Sequence, residues 1–232
     1  GVVLDIAAWN YPLLIAVNIV IPAVVAGNSV IIKHSSTTPL CGQIFEDAFN
    51  FSDSPKNLVQ NLICDHKTLS KAIKLKLFDH ISFTGSVKGG RSIAESNKSN
   101  FIGLGLELGG KDPAYICDDA DLVFTIPNVM NGVFYNAGQS CCGVERIYVH
   151  EKVYDDFLSA CRPLIEAYNL GNPLDTKTTL GPLADASSAK KMETQVSEAI
   201  VAGAEVIAGG KTRQIKKGTF FEPTLLSVTR ND

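Results

Sequence analysis

The stretch "HISFTGSVKGG", residues 80–90, joins an apolar, β-rich run to a glycine-rich turn, and it decides the fold class. The run predicts a strand over 80–84, and the residues after the turn predict a helix over about 87–98. Gly85 and Ser86 open that helix, and the free N–H groups and dipole of a helix start attract phosphate. By itself this pattern does not identify a nucleotide site, so its interpretation depends on the neighbouring segments.

The same alternation of strand and helix extends along the first half of the chain. Four further β-rich segments are present, at 1–6, 29–33, 57–63 and 104–108. Helical segments lie between them, at about 11–27, 38–50 and 67–77. This βαβα order predicts a parallel sheet covered by helices.

A different pattern begins after about residue 110. Helices are predicted near 120–135, 151–168 and 185–202. Strands are predicted near 146–150, 204–207 and 219–225. We therefore place a domain boundary at about Gly110, which divides the chain into domains 1–110 and 111–232.

Composition and charge exclude several classes of protein. With 232 residues, of which 45% are hydrophobic, the chain can bury a large core. A net charge of −3 argues against a nucleic-acid partner. The longest apolar run, 13–27, contains Asn18 and Pro22 and is shorter than the roughly 18 uninterrupted apolar residues of a membrane span, so it predicts a buried helix. Six scattered cysteines suggest neither a disulfide framework nor a metal site, and indicate reduced thiols in a cytoplasmic compartment.

The stretch "NAGQSCCGVER", residues 136–146, places Cys141 and Cys142 side by side after a glycine- and amide-rich turn. A cysteine attacks as the thiolate, so a reactive one needs access and a nearby base or positive potential. The turn at 138–140 offers backbone N–H groups toward a developing negative charge. The residues alone do not show which of the two thiols is the reactive one. The other cysteines are interpreted as small buried hydrophobic residues: Cys41, Cys64, Cys117 and Cys161.

Several motifs make the chain resemble the aldehyde dehydrogenase superfamily in their order and approximate spacing. They are "AAWNYPL" (7–13), "ISFTGSVKGGRSI" (81–93), "LELGGKDP" (106–113), "GQSCCGVER" (138–146), "GNPLDTKTTLGPL" (171–183) and "FFEPTLL" (220–226). The resemblance covers the whole chain and implies an α/β fold: a Rossmann-like NAD(P)-binding domain, 1–110, followed by part of an α/β catalytic domain, 111–232. It also implies that the family's usual N-terminal and C-terminal parts are missing. We therefore expect a central fragment that does not turn over aldehyde by itself.

The resemblance assigns the catalytic thiol to Cys141, the second residue after the Gly-Gln pair. Glu107 lies 34 positions earlier, which is the family's interval, and becomes the general base. A carboxylate at the end of an apolar strand is expected to be poorly solvated, which suits a base, although a solvated strand-end glutamate is the alternative. Asn10 resembles the family's amide donor to the substrate oxygen, although an asparagine there also suits a helix N-cap. Cys142 is expected to point away into packing.

The resemblance also implies NAD or NADP as the cofactor, and no metal. Ser86 resembles a pyrophosphate contact, and Lys33 resembles a contact to the adenosine ribose. Ser36 stands where NAD-preferring members usually carry a glutamate that accepts the ribose hydroxyls. A serine leaves room for a 2′-phosphate, so NADP becomes possible and NAD stays open. The remaining expected cofactor contacts are Trp9, Phe83, Gly85, Leu108 and Gly109.

The implied reaction is the oxidation of a small-molecule aldehyde to a carboxylic acid. Cys141 forms a thiohemiacetal, hydride leaves to the nicotinamide, and water activated by Glu107 hydrolyses the thioester. One alternative is an inactive remnant of such an enzyme. Another is a relative that passes the acyl group to coenzyme A, but such members tend to lack the base at Glu107. For the full-length protein the resemblance implies a homodimer or homotetramer without a membrane span.

Overall fold

The computed structural model describes residues 1–51 and 53–229, and it divides into two compact units, Gly1–Gly109 and Gly110–Asp232. The predicted domains, 1–110 and 111–232, place the boundary one residue further along. Residues 230–232, the end of the second predicted domain, lie outside the described residues.

A parallel sheet forms the centre of the first unit. Its strands are β1 (Val2–Ala7), β2 (Ser29–His34), β3 (Val59–Asn61), β4 (His80–Gly85) and β5 (Gly103–Leu108). Their order is β3-β2-β1-β4-β5, so β1 pairs with both β2 and β4. The chain runs outward from β1 to β3 and then crosses back to β4, so the strand order reverses between β1 and β4. Open α/β sheets bind ligands beyond the carboxyl ends of their strands at such a point.

Helices cover both faces of this sheet. They are α1 (Pro12–Val25), α2 (Leu40–Phe51), α3 (His66–Lys74) and α4 (Val87–Asn97). Val20 of α1 is buried with Ile32 on one face, where α2 also packs. Ile73 of α3 and Ile93 of α4 are buried on the other face. The predicted fold class, a parallel sheet covered by helices, is confirmed.

α1 differs from the buried helix that the apolar run predicts. Ala16 and Val20 are buried, but Leu14 is 59% exposed and Val25 is 82% exposed. The reason is that only one side of α1 contacts the sheet, although the helix is apolar on all sides. Within residues 1–51 and 53–229, no helix has both the length and the apolar character needed to cross a bilayer.

The second unit packs helices against small pairs of strands. The helices are α5 (Leu122–Phe134), α6 (Tyr154–Glu166) and α7 (Ala186–Val201). The strands are β6 (Asp112–Ile116), β7 (Val144–Val149), β8 (Glu205–Ala208), β9 (Thr212–Ile215), β10 (Gly218–Phe221) and β11 (Leu225–Ser227). β6 and β7 pair in parallel, whereas β8 with β11 and β9 with β10 pair antiparallel. Their core includes Ile126, Met130 and Phe157.

Strands are the elements of this unit that differ from the prediction. β6 was not expected, because it begins with Asp112 and Pro113, which strands disfavour, and its register shifts between these two residues. β9 was not expected either. The single strand predicted over 219–225 is divided into β10 and β11, since Pro223 lies between them and has no N–H to donate.

Candidate active site

The carboxyl end of β1 presents Trp9 and Asn10 at the reversal of strand order. Trp9 is 36% exposed, and Asn10 is half-buried. α1 begins immediately afterwards, with Pro12 in its first turn, where a backbone N–H would have no helical acceptor. Tyr11 is the N-cap residue of α1, one position after Asn10.

The turn from β4 into α4 contains Gly85 and Ser86. The Ser86 Oγ accepts a hydrogen bond from the Gly89 N–H at 3.1 Å and so caps α4. A Cβ added at Gly85 or at Gly89 would approach the Phe83 ring to 2.8 Å or 2.6 Å. Phe83 is 8% exposed, so its ring packs beneath this turn. The glycines of the motif therefore allow the helix start to lie directly on the ring.

The carboxyl end of β2 carries Lys33, followed by an exposed turn. Lys33 is 5% exposed, and no carboxylate of the described residues forms an ion pair with it. Ser36 is exposed, in a turn where the Ser35 Oγ accepts from the Thr37 N–H at 3.3 Å. A poorly solvated cation without a counter-charge beside an exposed hydroxyl suits an anionic or hydroxyl-rich ligand.

His34 is a buried polar residue of this edge that the sequence reasoning missed. It is 4% exposed, and neither Nδ1 nor Nε2 has a hydrogen-bond partner within the described residues. Burial, and then the charge of Lys33, lower the pKa of His34, so the imidazole is neutral at neutral pH. Its position at the end of a strand, directly before the turn of Ser36, could have indicated in the sequence that His34 belongs to this edge.

The carboxyl end of β5 holds Glu107, Leu108 and Gly109. Glu107 is exposed, which corrects the expectation of a poorly solvated carboxylate. The reason is that β5 is the outermost strand of the sheet within the described residues. Leu108 is half-buried against α4, where a Cβ added at Gly90 would lie 2.8 Å from Leu108 Cδ2. A Cβ added at Gly109 would meet no atom within 4 Å, so the backbone is open there.

In the second unit, an uncommon backbone conformation precedes the cysteines. Asn136, Ala137 and Gly138 have φ angles of 53°, 56° and 71°. Only glycine adopts this left-handed region without steric cost. We call residues 136–138 the left-handed turn. It follows directly after α5 and leads into Gln139.

The side chain of Gln139 bonds to the left-handed turn and to a distant segment. Its Nε2 donates to the Asn136 carbonyl oxygen at 3.0 Å. The Asn136 Nδ2 donates in return to the Gln139 carbonyl oxygen at 3.3 Å. The Gln139 Oε1 accepts from the Ala184 N–H at 2.9 Å. Gln139 thus connects the turn to the segment that leads into α7.

Cys141 and Cys142 are both exposed. Cys142 lies 3.3 Å from the Ser140 Oγ through its Sγ and is not packed in the core, which corrects that expectation. Gly143 takes the buried position of this loop instead. A Cβ added at Gly110 would lie 3.8 Å from the Cys141 carbonyl oxygen, so the start of the second unit passes beside Cys141.

The other cysteines differ in exposure from one another. Cys161 is fully buried, and burial raises the pKa of its thiol to about 11. Burial is also the main cause that raises the pKa of Cys64, which is half-buried like Cys41. Cys117 is exposed, contrary to the expectation of burial, because it follows the last residue of β6. All six cysteines are free thiols.

The structure therefore gathers the predicted residues of the first unit at one edge of its sheet, and it places Cys141 in a loop of the second. In the described part of the chain, His, Cys, Asp and Glu side chains do not form groups of three or more that could hold a metal ion.

Comparisons with known proteins identify the family. The sequence model of the aldehyde dehydrogenase family matches residues 1–232. An NADP(+) succinate-semialdehyde dehydrogenase of Deinococcus radiodurans is 36% identical over 232 residues, which are 100% of this chain and 48% of that protein.

Solved structures give the same result. A succinic semialdehyde dehydrogenase of Streptococcus pyogenes in complex with NADP+ has a TM-score of 0.92 and 33% identity, covering 97% of this chain and 50% of that one. A betaine aldehyde dehydrogenase of Staphylococcus aureus in complex with NAD+ has a TM-score of 0.92 and 33% identity, covering 97% of this chain and 46% of that one. The chain spans about half the length of these relatives. Because the family model matches every residue, the chain belongs to the aldehyde dehydrogenase family.

Proposed function

We propose that the full-length protein oxidises a small-molecule aldehyde to a carboxylic acid with NAD or NADP, through a thiohemiacetal and a thioester on Cys141. The observation that carries this proposal is the placement of Cys141, an exposed thiol three residues after the left-handed turn, in the motif position of the family's nucleophile. The other exposed thiols lack this combination. Cys142 contacts the Ser140 hydroxyl, and Cys117 follows an ordinary strand.

The groups at the sheet edge fit a dinucleotide. The first N–H groups of α4 and the Ser86 hydroxyl suit a pyrophosphate, and Lys33 supplies a cation without a counter-charge in the described residues. The open backbone at Gly109 suits close approach of a ligand. When bound, NAD(P)+ supplies the hydride acceptor. Contacts of the cofactor with other residues stay predictions: Trp9, Phe83, Gly85 and Leu108.

In the first step, the Cys141 thiolate attacks the aldehyde carbon, and the carbonyl electron pair moves to the oxygen. The Asn10 amide and the Cys141 backbone N–H donate hydrogen bonds to that oxyanion. Within the described residues, no backbone oxygen accepts from the Cys141 N–H, which leaves it available for this role. After hydride loss, a thioester remains on Cys141.

In the second step, Glu107 takes a proton from a water molecule, and the water oxygen attacks the thioester carbon. The carbon–sulfur bond then breaks, which releases the carboxylic acid and restores the Cys141 thiolate. The exposed position of Glu107 supports access to water. Transfer of the acyl group to coenzyme A is disfavoured, because that reaction does not need Glu107 to activate water.

The names of the relatives support the class of substrate and not its identity. One relative acts on succinate semialdehyde and another on betaine aldehyde, and both compounds are small aldehydes. We also propose that the full-length protein is a cytoplasmic homodimer or homotetramer, as the resemblance implies. The free cysteines support a reducing compartment. A second candidate is an inactive remnant of such an enzyme, and an activity assay of the full-length protein decides between the two.

Paired alanine variants of the full-length protein test the nucleophile. Cys141→Ala should lower kcat at least about 10³-fold, because covalent catalysis is lost. Cys142→Ala is the matched control and should keep most of the activity, with a similar unfolding midpoint. An active Cys141→Ala variant would overturn the assignment. If the wild type also produces no NAD(P)H from a panel of small aldehydes, the non-catalytic candidate is favoured.

A further inference from the structure

The left-handed turn is a strained segment that needs support. Two of its three residues, Asn136 and Ala137, carry a Cβ, and each pays a steric cost for a positive φ. Such conformations persist where the surroundings hold them, and they are concentrated at functional sites. The turn ends three residues before Cys141, so its geometry decides where the Cys141 backbone begins.

The support comes from a pair of reciprocal hydrogen bonds. The Gln139 side chain donates to the Asn136 carbonyl oxygen, and the Asn136 side chain donates to the Gln139 carbonyl oxygen. The Gln139 backbone N–H also donates to the Asn136 carbonyl oxygen, at 3.1 Å. We call this arrangement the Asn136–Gln139 clamp. It closes the turn from both ends.

A further bond anchors the clamp to the body of the second unit. The Gln139 Oε1 accepts from the Ala184 N–H, and the next residue, Asp185, caps α7 through the Ser187 N–H at 2.8 Å. The cap bond stabilises the first turn of α7, which helps to hold this point of attachment in place. The side chain of Gln139 therefore fixes the loop of Cys141 relative to α7.

We propose that Gln139 is a positioning residue, which holds the left-handed turn through the Asn136–Gln139 clamp and so sets the direction in which the Cys141 thiol leaves the backbone. This inference rests on the proposed role of Cys141 as the nucleophile. Gln139 itself touches neither substrate nor cofactor in this scheme. Its effect on the reaction passes through the backbone of residues 139–141.

The test compares two isosteric substitutions in the full-length protein. Gln139→Met keeps the length of the side chain and removes both of its hydrogen-bonding groups. Gln195→Met is the matched control, because Gln195 is an exposed residue of α7. We expect Gln139→Met to lower kcat about 10- to 100-fold with little change in KM, since a misplaced nucleophile slows chemistry more than binding. The rate of Cys141 alkylation by iodoacetamide, read by mass spectrometry, should stay unchanged, because a small alkylating agent needs no aligned thiol.

If Gln139→Met does not fold, a second variant tests the positioning role of Gln139. Asn136→Gly keeps the left-handed conformation accessible but removes one arm of the clamp, and it should lower kcat in the same way. Unchanged kcat in the folded variants would overturn the inference, as would an equal loss in Gln195→Met or a parallel loss of alkylation and kcat. An active Cys141→Ala variant would instead overturn the proposed function.

Discussion

Asp5 is a carboxylic acid enclosed in the middle of the central strand β1. It is fully buried, and neither carboxylate oxygen has a hydrogen-bond partner within the described residues. Its neighbours in register are Ile32 on β2 and Ser82 on β4, so no opposite charge lies beside it on these strands. Burial raises the pKa of Asp5 from 3.8 to about 8, and the side chain is therefore protonated at neutral pH.

This burial links stability to pH. Between about pH 4 and pH 8 the folded state keeps a proton on Asp5 that the unfolded state has lost, so the free energy of unfolding falls as pH rises, and above about pH 8 it levels off. Asp5→Asn removes this dependence and should stabilise the protein at pH 7 by on the order of 4 kcal/mol. Urea unfolding of wild type and variant at pH 5, 7 and 9 checks this. The exposed Asp119→Asn is the control, and an equal gain from it at pH 7 would contradict the explanation.

Ser36 is the residue at which cofactor selection is predicted. Ser36→Glu should lower the preference for NADP relative to NAD by roughly 1 to 3 kcal/mol, because a carboxylate repels a 2′-phosphate at close range. The measurement is kcat/KM with each cofactor in the full-length protein. Ser36→Gln is the control of equal size without the charge, and it should change the ratio much less. An unchanged ratio in Ser36→Glu would show that residue 36 does not face the ribose.

At the scale of elements, α4 depends on glycines in a way that helix propensity does not predict. Alanine normally stabilises a helix relative to glycine by about 1 kcal/mol. At Gly89, however, the new Cβ would lie 2.6 Å from the buried Phe83 ring. We predict that Gly89→Ala lowers the free energy of unfolding by about 1 to 3 kcal/mol, as overpacking does.

Gly132→Ala in α5 is the matched control, because its Cβ would meet Val144 Cγ2 at 3.4 Å, an ordinary contact. This variant should be neutral or more stable. Chemical denaturation of both variants gives the comparison. A stabilised Gly89→Ala variant would mean that Phe83 moves aside freely, and the packing explanation of the "GSVKGG" motif would then be wrong.

At the scale of the whole molecule, sequence periodicity predicted the parallel sheet and the helices on both its faces, because buried strands and amphipathic helices leave regular apolar patterns. It failed where a strand starts against its own propensity, as β6 does at Asp112 and Pro113. It could not predict the exposure of Glu107. Glu107 is exposed because β5 is the outermost strand, and the order of strands in a sheet cannot be read from any single segment of the sequence.

The conformation of the loop of Cys141 could not be predicted from the sequence either. Gly138 indicates a turn, and asparagine tolerates a positive φ better than most residues, but Ala137 gives no indication of one. The hydrogen bond between Gln139 and Ala184 joins positions 45 residues apart. Motif spacing pointed to Cys141 without revealing how its backbone is held. The buried His34 was missed because burial of a polar side chain is a property of the packed structure.

The claim that Cys141, and not its neighbour Cys142, forms the covalent intermediate is tested most directly by trapping. Glu107→Gln should slow hydrolysis of the thioester and let it accumulate. The full-length variant is mixed with an accepted aldehyde and NAD(P)+, quenched in acid, digested and sequenced by tandem mass spectrometry. We predict an acyl group on Cys141 and an unmodified Cys142. An acyl group on Cys142, or continued turnover with neither thiol acylated, would contradict the assignment.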